Sequence, residues 1–218
     1  MTDSLLIAID GPSGSGKSST SRGVASKLGL AYLDTGSLYR AAAVVYLESG
    51  LDASQTDEIV ARVTGTTIVP GTDPEKPSTS IDGRDVTSAI RDPAVSAKVS
   101  TVATIPAVRA WLNDQFRAII DAHQRRIVVE GRDITTVVAP DADLRILLVA
   151  DPAARIARRQ AELGGAVDVA AVTDQVVRRD RDDSTVSQFE KPAEGVELVD
   201  STYLNLAEVI DTICAKVG

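Results

Sequence analysis

With 218 residues, the chain is one to two ordinary domains long, and at 44% hydrophobic but only 3% aromatic it must build its core from Val, Ile, Leu and Ala. A net charge of −8 excludes a generally basic surface for nucleic acid or anionic membrane, though a few clustered arginines can still hold an anionic small molecule. One cysteine, Cys214, excludes a disulfide framework and a zinc-type cluster, and one histidine, His123, argues against a Ser-His-Asp triad or a His metal site.

The first element is the apolar run Leu5-Leu6-Ile7-Ala8-Ile9, which suits a buried parallel strand. It ends at Asp10, no basic segment precedes it, and no later apolar stretch nears the roughly 20 residues that span a bilayer. A cytoplasmic protein without signal peptide or membrane span is expected. Gly11-Pro12-Ser13-Gly14-Ser15-Gly16-Lys17-Ser18 follows and fits G-x-x-x-x-G-K-[ST], the phosphate-binding P-loop. Val24, Ala25 and Leu28 continue at helical spacing, so strand, glycine loop and helix stand in the order the motif needs. Loop amides and the positive helix end would face a polyphosphate, Lys17 would reach its β- and γ-phosphates, and the Ser18 hydroxyl would bind Mg²⁺. A Gly/Ser-rich turn alone has no use for Lys17-Ser18 at this spacing.

Ala31-Tyr32-Leu33 reads as a second strand, ended by Asp34-Thr35-Gly36, and Ser37 through Leu47 as a helix. Ser54 is placed to cap another helix, with Asp57 and Glu58 in its first turn. Thr64 to Val69 is β-branched, and Pro70, Gly71, Pro74 and Pro77 interrupt regular structure. Ser78–Ile81 and Arg84–Val86 flank Asp82-Gly83, which predicts a hairpin with a type I′ turn. Residues 64–87 thus form a small β insertion. Ile90 to Thr104 is expected to be helical. Pro106 suits the first turn of a long helix whose stripe is Val108, Leu112, Phe116, Ile119 and Ile120, with His123 solvated near its end.

Arg126–Val129 is the third core strand, running into Glu130-Gly131-Arg132-Asp133, and Leu144–Val149 is the fourth. Pro152 opens a basic helix carrying Arg155, Arg158 and Arg159, which Gly164-Gly165 breaks before a second helix, Val169–Arg181. Val196–Val199 is the fifth strand, and a last helix runs from Leu204 to Lys216. The alternation predicts an α/β P-loop fold, a five-stranded parallel sheet flanked by helices. Ligands gather at the carboxyl ends of such strands, so the loops at Gly11, Asp34, Glu130 and Asp151 should line one cleft.

No D-x-x-G with N-K-x-D, as a GTPase switch needs, and no L-S-G-G-Q of a transporter ATPase is present, which leaves a small kinase as the leading class. The segments Asp34-Thr35-Gly36-Ser37-Leu38-Tyr39-Arg40, Ser100 through Arg109, Glu130-Gly131-Arg132-Asp133, and Arg179-Asp180 through Asp183-Ser184 together resemble bacterial cytidylate kinases, over nearly the whole chain and in order. The resemblance implies transfer of the ATP γ-phosphoryl group to CMP and dCMP, with Mg²⁺ accompanying ATP. It implies one P-loop kinase domain made of a core at about 1–35, 110–151 and 190–218, a monophosphate-binding insertion at about 36–109 and a helical lid at about 152–189.

By the same resemblance, Thr35, Tyr39, Arg40 and Arg132 hold the CMP phosphate, Ser100, Arg109 and Asp133 read cytosine, and Arg179 and Asp183 contact the ribose. Residues 11–18, Ser19, Arg155 and Arg159 would take ATP. Lys17, Arg132 and Arg179 would act on the moving phosphoryl group, and Asp34 and Glu130 would join Ser18 near the metal. The chemistry agrees, since a phosphate dianion wants guanidinium forks and cytosine offers a donor beside two acceptors. Three positions depart from the family pattern: Glu130 stands where Asp is common, Thr135 where Gly is common, and Val186 where an arginine follows the lid D-S-x. One positive charge at the phosphates is therefore missing or supplied elsewhere, with Arg181 and Lys191 as candidates. A monomer with no nucleic-acid partner is expected. The rivals are a P-loop kinase for UMP, shikimate or dephospho-coenzyme A, and a regulatory module that binds ATP without transfer.

Overall fold

A computed structural model describes residues 4–162, 173 and 191–217. Five strands, β1 (Leu5–Asp10), β2 (Ala31–Asp34), β6 (Arg126–Gly131), β7 (Leu144–Val149) and β8 (Glu197–Asp200), form one parallel sheet in the order β2-β6-β1-β7-β8. β1 is central and buried on both faces. Leu6 and Ala8 pack to one side with Leu38, Ala42, Leu112 and Phe116, while Ile7 and Ile9 pack to the other with Val24, Val209 and Ile213. A continuous apolar run is what such a two-sided strand requires.

The first layer is covered by α2 (Thr35–Ser49) and α6 (Pro106–Ala122), the second by α1 (Lys17–Leu28) and α8 (Leu206–Cys214). α3 (Thr56–Thr64) leads into a separate antiparallel sheet of β3 (Ile68–Pro70), β4 (Thr79–Ile81) and β5 (Arg84–Asp85). Asp82 and Gly83 both have positive φ, 48° and 80°, as the expected type I′ turn demands. The segment before β4 lies against the core: Tyr32 donates its amide to Thr72 O (2.9 Å) and Arg22 Nε bonds to Pro74 O (2.7 Å).

Three expectations need correction. The stretch 90–104 is not one helix but a 3₁₀ turn (Ala89–Arg91), then α4 (Pro93–Ser96) and α5 (Val99–Ala103). Pro93 is the cause, because the residue before proline is pushed out of the helical region; Asp92 sits at φ −58°, ψ 136° and caps the next turn. Ser54 caps no helix: Gln55 is the N-cap of α3, and the Ser54 hydroxyl bonds to Asp52 Oδ1 at 2.7 Å instead. α2 starts at Thr35 rather than Ser37, so Asp34 ends the strand and caps the helix at once. α7 (Pro152–Glu162) opens as expected, and the second lid helix, 169–181, falls outside the described residues. No helix among the described residues is long and apolar enough to cross a membrane.

Candidate active site

The register sets the site. Asp10 lies opposite Gly131 and Asp34 opposite Glu130, so β1, β2 and β6 end at one level. The turn after β6 is held there by Asp10, which is 2% exposed. Its Oδ1 accepts from the Ile134 amide (2.9 Å), and its Oδ2 from the Thr135 amide (2.8 Å) and hydroxyl (2.7 Å). Burial pushes the Asp10 carboxyl above its usual range, against the pull of those three donors. Thr135, the residue standing where glycine is common, is thus a buried hydrogen-bond partner of β1. The sequence marked Asp10 only as the end of an apolar run.

Residues 11–16 wrap between β1 and α1, and the Lys17 ammonium returns to Pro12 O at 2.8 Å. Ser18 and Ser19 follow in the first exposed turn of α1. α7 sits directly on this loop. Arg155 Nη1 bonds to Ser13 O at 3.0 Å, and a Cβ built on Gly14 would meet Arg155 O at 2.7 Å, so only glycine lets α7 come this close. Arg159 lies in the last turn of α7. Asp151 serves α7 differently, accepting the Ala153 amide at 2.8 Å.

Beside the loop is a buried acidic cluster. Glu130 is 3% exposed, and the Tyr32 phenol donates to its Oε1 at 2.6 Å. The Ser18 side chain lies beside both, while Lys17 and Asp34 act on Glu130 by charge. Burial, then the Asp34 charge, raise the Glu130 carboxyl above its usual range; Lys17 and the two hydroxyls oppose the rise. Burial and the same carboxylates raise the Tyr32 phenol, which stays protonated. Tyr32 is a member of the site that the sequence showed only as a strand residue. Asp34 is engaged on both oxygens, Oδ1 by the Ser37 amide (3.0 Å) and Oδ2 by Arg40 (2.7 Å).

On the other side of the sheet lie the remaining residues of interest. The Arg109 guanidinium is ion-paired with the buried Asp133 carboxylate, donates to Ala103 O at 3.2 Å, and stands over the Tyr39 ring, 5.8 Å from its centroid. Tyr39 in turn packs on Phe116 with ring centroids 6.0 Å apart. Arg109 therefore ties α6 to the end of α5, the helix that carries Ser100, and to the turn after β6. Arg132 Nη1 reaches back to Gly11 O at 2.7 Å, so it joins this side to the P-loop. Thr35 is buried, and its hydroxyl donates to Glu130 O at 2.7 Å. Arg179, Asp183, Arg181 and Val186 lie outside the described residues; Lys191 is described and exposed.

A hydroxyl and a buried carboxylate beside a loop of amides suit Mg²⁺, which prefers oxygen and takes few protein ligands when phosphates supply the rest. Among the described residues no three His, Cys, Asp or Glu side chains come together as a metal cage. The donor set thus fits an ion that arrives with a nucleotide.

The sequence model of the family described as "Cytidylate kinase" matches residues 7–218. A cytidylate kinase of Cutibacterium acnes is 60% identical over 213 residues, covering 97% of this chain and 95% of that one. One from Streptomyces griseus is 46% identical over 216 residues, covering 98% and 93%. Among solved structures, an uncharacterized protein from Eubacterium ventriosum superposes with a TM-score of 0.53 at 11% identity, covering 98% of both chains, a likeness of fold alone.

Proposed function

Because the chain belongs to the cytidylate kinase family, we propose that its cleft binds ATP along the P-loop and CMP between α2, α6 and the turn after β6. The enzyme is an ATP-dependent nucleoside monophosphate kinase: it transfers a phosphoryl group from ATP to CMP, giving ADP and CDP. We extend the acceptor to dCMP. The single observation that supports this placement is the half-buried Arg109 paired with the buried Asp133 over Tyr39, which offers a cationic fork and a carboxylate side by side to one base edge.

The attacking atom is an oxygen of the CMP phosphate, a group with a second pKa of about 6 and so already anionic at neutral pH. No protein nucleophile or strong base is needed. In-line placement and neutralisation of charge do the work. Arg40 and Arg132 hold the acceptor phosphate, and the buried Thr35 and half-buried Tyr39 shape its seat. Lys17, the amides of residues 11–18, Ser19, Arg155 and Arg159 hold the triphosphate. Ser100, Arg109 and Asp133 read the base. Ser18 and Glu130 would hold the metal that travels with ATP, with Asp34 adding negative charge nearby. Mg²⁺ would supply charge neutralisation to the phosphoryl groups. We assign Arg179 and Asp183 to the ribose and Arg179 to the phosphoryl group by the family pattern.

The division into a core, an insertion at about 36–109 and a lid at about 152–189 is supported by the second sheet and by α7 lying on the P-loop. Closure of the lid keeps water from taking the phosphoryl group. We read the enzyme as a cytoplasmic monomer without a nucleic-acid partner, in line with its charge of −8.

A coupled ADP-release assay across acceptors tests the whole reading. CMP and dCMP should drive ADP formation, and UMP should do so far less well. Stronger turnover with UMP, shikimate or dephospho-coenzyme A would overturn the substrate, and ATP binding without transfer to any acceptor would overturn the enzyme.

A further inference from the structure

Four P-loop carbonyls are held by cationic side chains. Gly11 O takes Arg132 (2.7 Å), Pro12 O takes Lys17 (2.8 Å), Ser13 O takes Arg155 (3.0 Å) and Ser15 O takes Arg158 (3.4 Å). The first three cations already have roles in the cleft. Arg158 has none, yet it is seated on two further acceptors. Its Nη1 also bonds to Ser201 Oγ (3.0 Å) and its Nη2 to Ser201 O (2.6 Å). Ser201, 1% exposed, follows directly on β8. Its hydroxyl stands 3.3 Å from Ser15 O and 3.0 Å from Val149 O, and its single proton serves the two acceptors. Its amide is fixed on Val149 O at 2.8 Å. One guanidinium thus ties the lid helix, the ends of β7 and β8 and the P-loop into a single joint.

The peptide unit explains what the joint does. A trans peptide is planar, so its C=O and N–H point in opposite directions. Drawing Ser15 O toward Arg158 and Ser201 turns the N–H of Gly16 the other way. Gly16 is the left-handed residue (φ 87°) just before α1, and its amide belongs to the group of N–H donors that makes a P-loop an anion-binding nest. The carbonyl side of this peptide is satisfied by fixed protein donors, so its orientation does not await the ligand.

We propose that Arg158, seated on Ser201, is a positioning residue that aims the Gly16 amide at the ATP phosphates. The proposal rests on the reading of the P-loop as the ATP site. Arg158 does not need to touch a phosphate in this role; it acts through the Ser15–Gly16 peptide. Geometry also sets what can replace it. Three acceptors on two elements require a forked donor, and a lysine ammonium is a point charge that cannot span them.

The test uses the full-length enzyme and three variants: Arg158→Met, which keeps the stem and removes the fork, Arg158→Lys and Ser201→Ala. ATP affinity is measured by calorimetry in the presence of Mg²⁺, and KM for ATP and for CMP by steady-state kinetics. Arg158→Met should weaken ATP binding roughly tenfold, the loss expected for a charge-assisted hydrogen-bond network, with KM for CMP nearly unchanged. Ser201→Ala should shift the same constant in the same direction by a smaller factor, and Arg158→Lys should recover only part of the loss. An unchanged ATP affinity in Arg158→Met, or equal rises in both KM values, would overturn the proposal. If Arg158→Met does not fold, Ser201→Ala decides alone, and unchanged ATP affinity there overturns it equally. Wild-type enzyme that fails to bind ATP would instead sink the P-loop reading itself.

Discussion

Asp133 accepts the Arg109 guanidinium and is itself 7% exposed, so the two act as one unit in a water-poor place. Cytosine presents an amino donor at N4 beside the N3 and O2 acceptors, which matches a carboxylate next to a guanidinium. Uracil replaces the amino donor with a carbonyl and N3 with an N–H, so both contacts mismatch. Unpaired polar groups in such a site cost about 1–3 kcal/mol each. Asp133→Asn can still accept from Arg109, but its NH₂ can turn to the uracil carbonyl. We expect kcat/KM for CMP to fall and the CMP/UMP ratio to narrow, with ATP affinity little changed. Retention of the wild-type ratio would remove Asp133 from base selection. Part of this unit was legible in the sequence, because Asp133 closes the Glu130-Gly131-Arg132-Asp133 segment. Tyr32, Asp10 and Ser201 were not. Their partners lie 98, 124 and 186 residues away, and hydrogen bonds between distant loops leave no local period to read.

Elements were legible where an apolar pattern ran long enough. β1, β6, β7 and α6 stand where their hydrophobic residues predict, because burial of a face fixes period and length together. The sequence was least clear between 88 and 104, where Asp92-Pro93 interrupts a helical composition, and at the helix starts. Caps decide those starts, and α8 shows how locally. Asn205 accepts the Glu208 amide at 3.1 Å and Glu208 returns to the Asn205 amide at 2.8 Å, a reciprocal capping box. It moves the start of the helix from the expected Leu204 to Leu206. Asn205→Ala should lower unfolding stability by about 1 kcal/mol. A shifted urea midpoint at unchanged slope would report it, and an unshifted midpoint would show that packing of Val209 and Ile213 alone holds the helix.

Across the whole molecule, the order β2-β6-β1-β7-β8 puts the proposed CMP side and the proposed ATP side on different parts of the sheet. The residues proposed for the acceptor come from β2, β6 and the helices beside them, whereas Arg155 and Arg158 reach the P-loop from the β7–β8 side. Lys17 sits between, against Pro12 O and the Glu130 charge. Lys17→Ala should therefore cut kcat by at least about 100-fold, as loss of one preorganised charge donor does, while CMP binding by calorimetry stays within a few-fold. Loss of CMP binding would mean that the halves are not independent. The separation also leaves the sheet with two open margins, and the chain guards them by different means. At β8, Glu197 and Asp200 are exposed, Glu197 paired with Lys216 and Asp200 leaving negative charge at the margin. At β2, the Tyr32 amide that would otherwise face outward is already taken by Thr72 O. A bare strand margin is a template on which another chain can add a strand. The loop ahead of β4 therefore withdraws one donor from the template that a neighbouring molecule would need to extend the sheet.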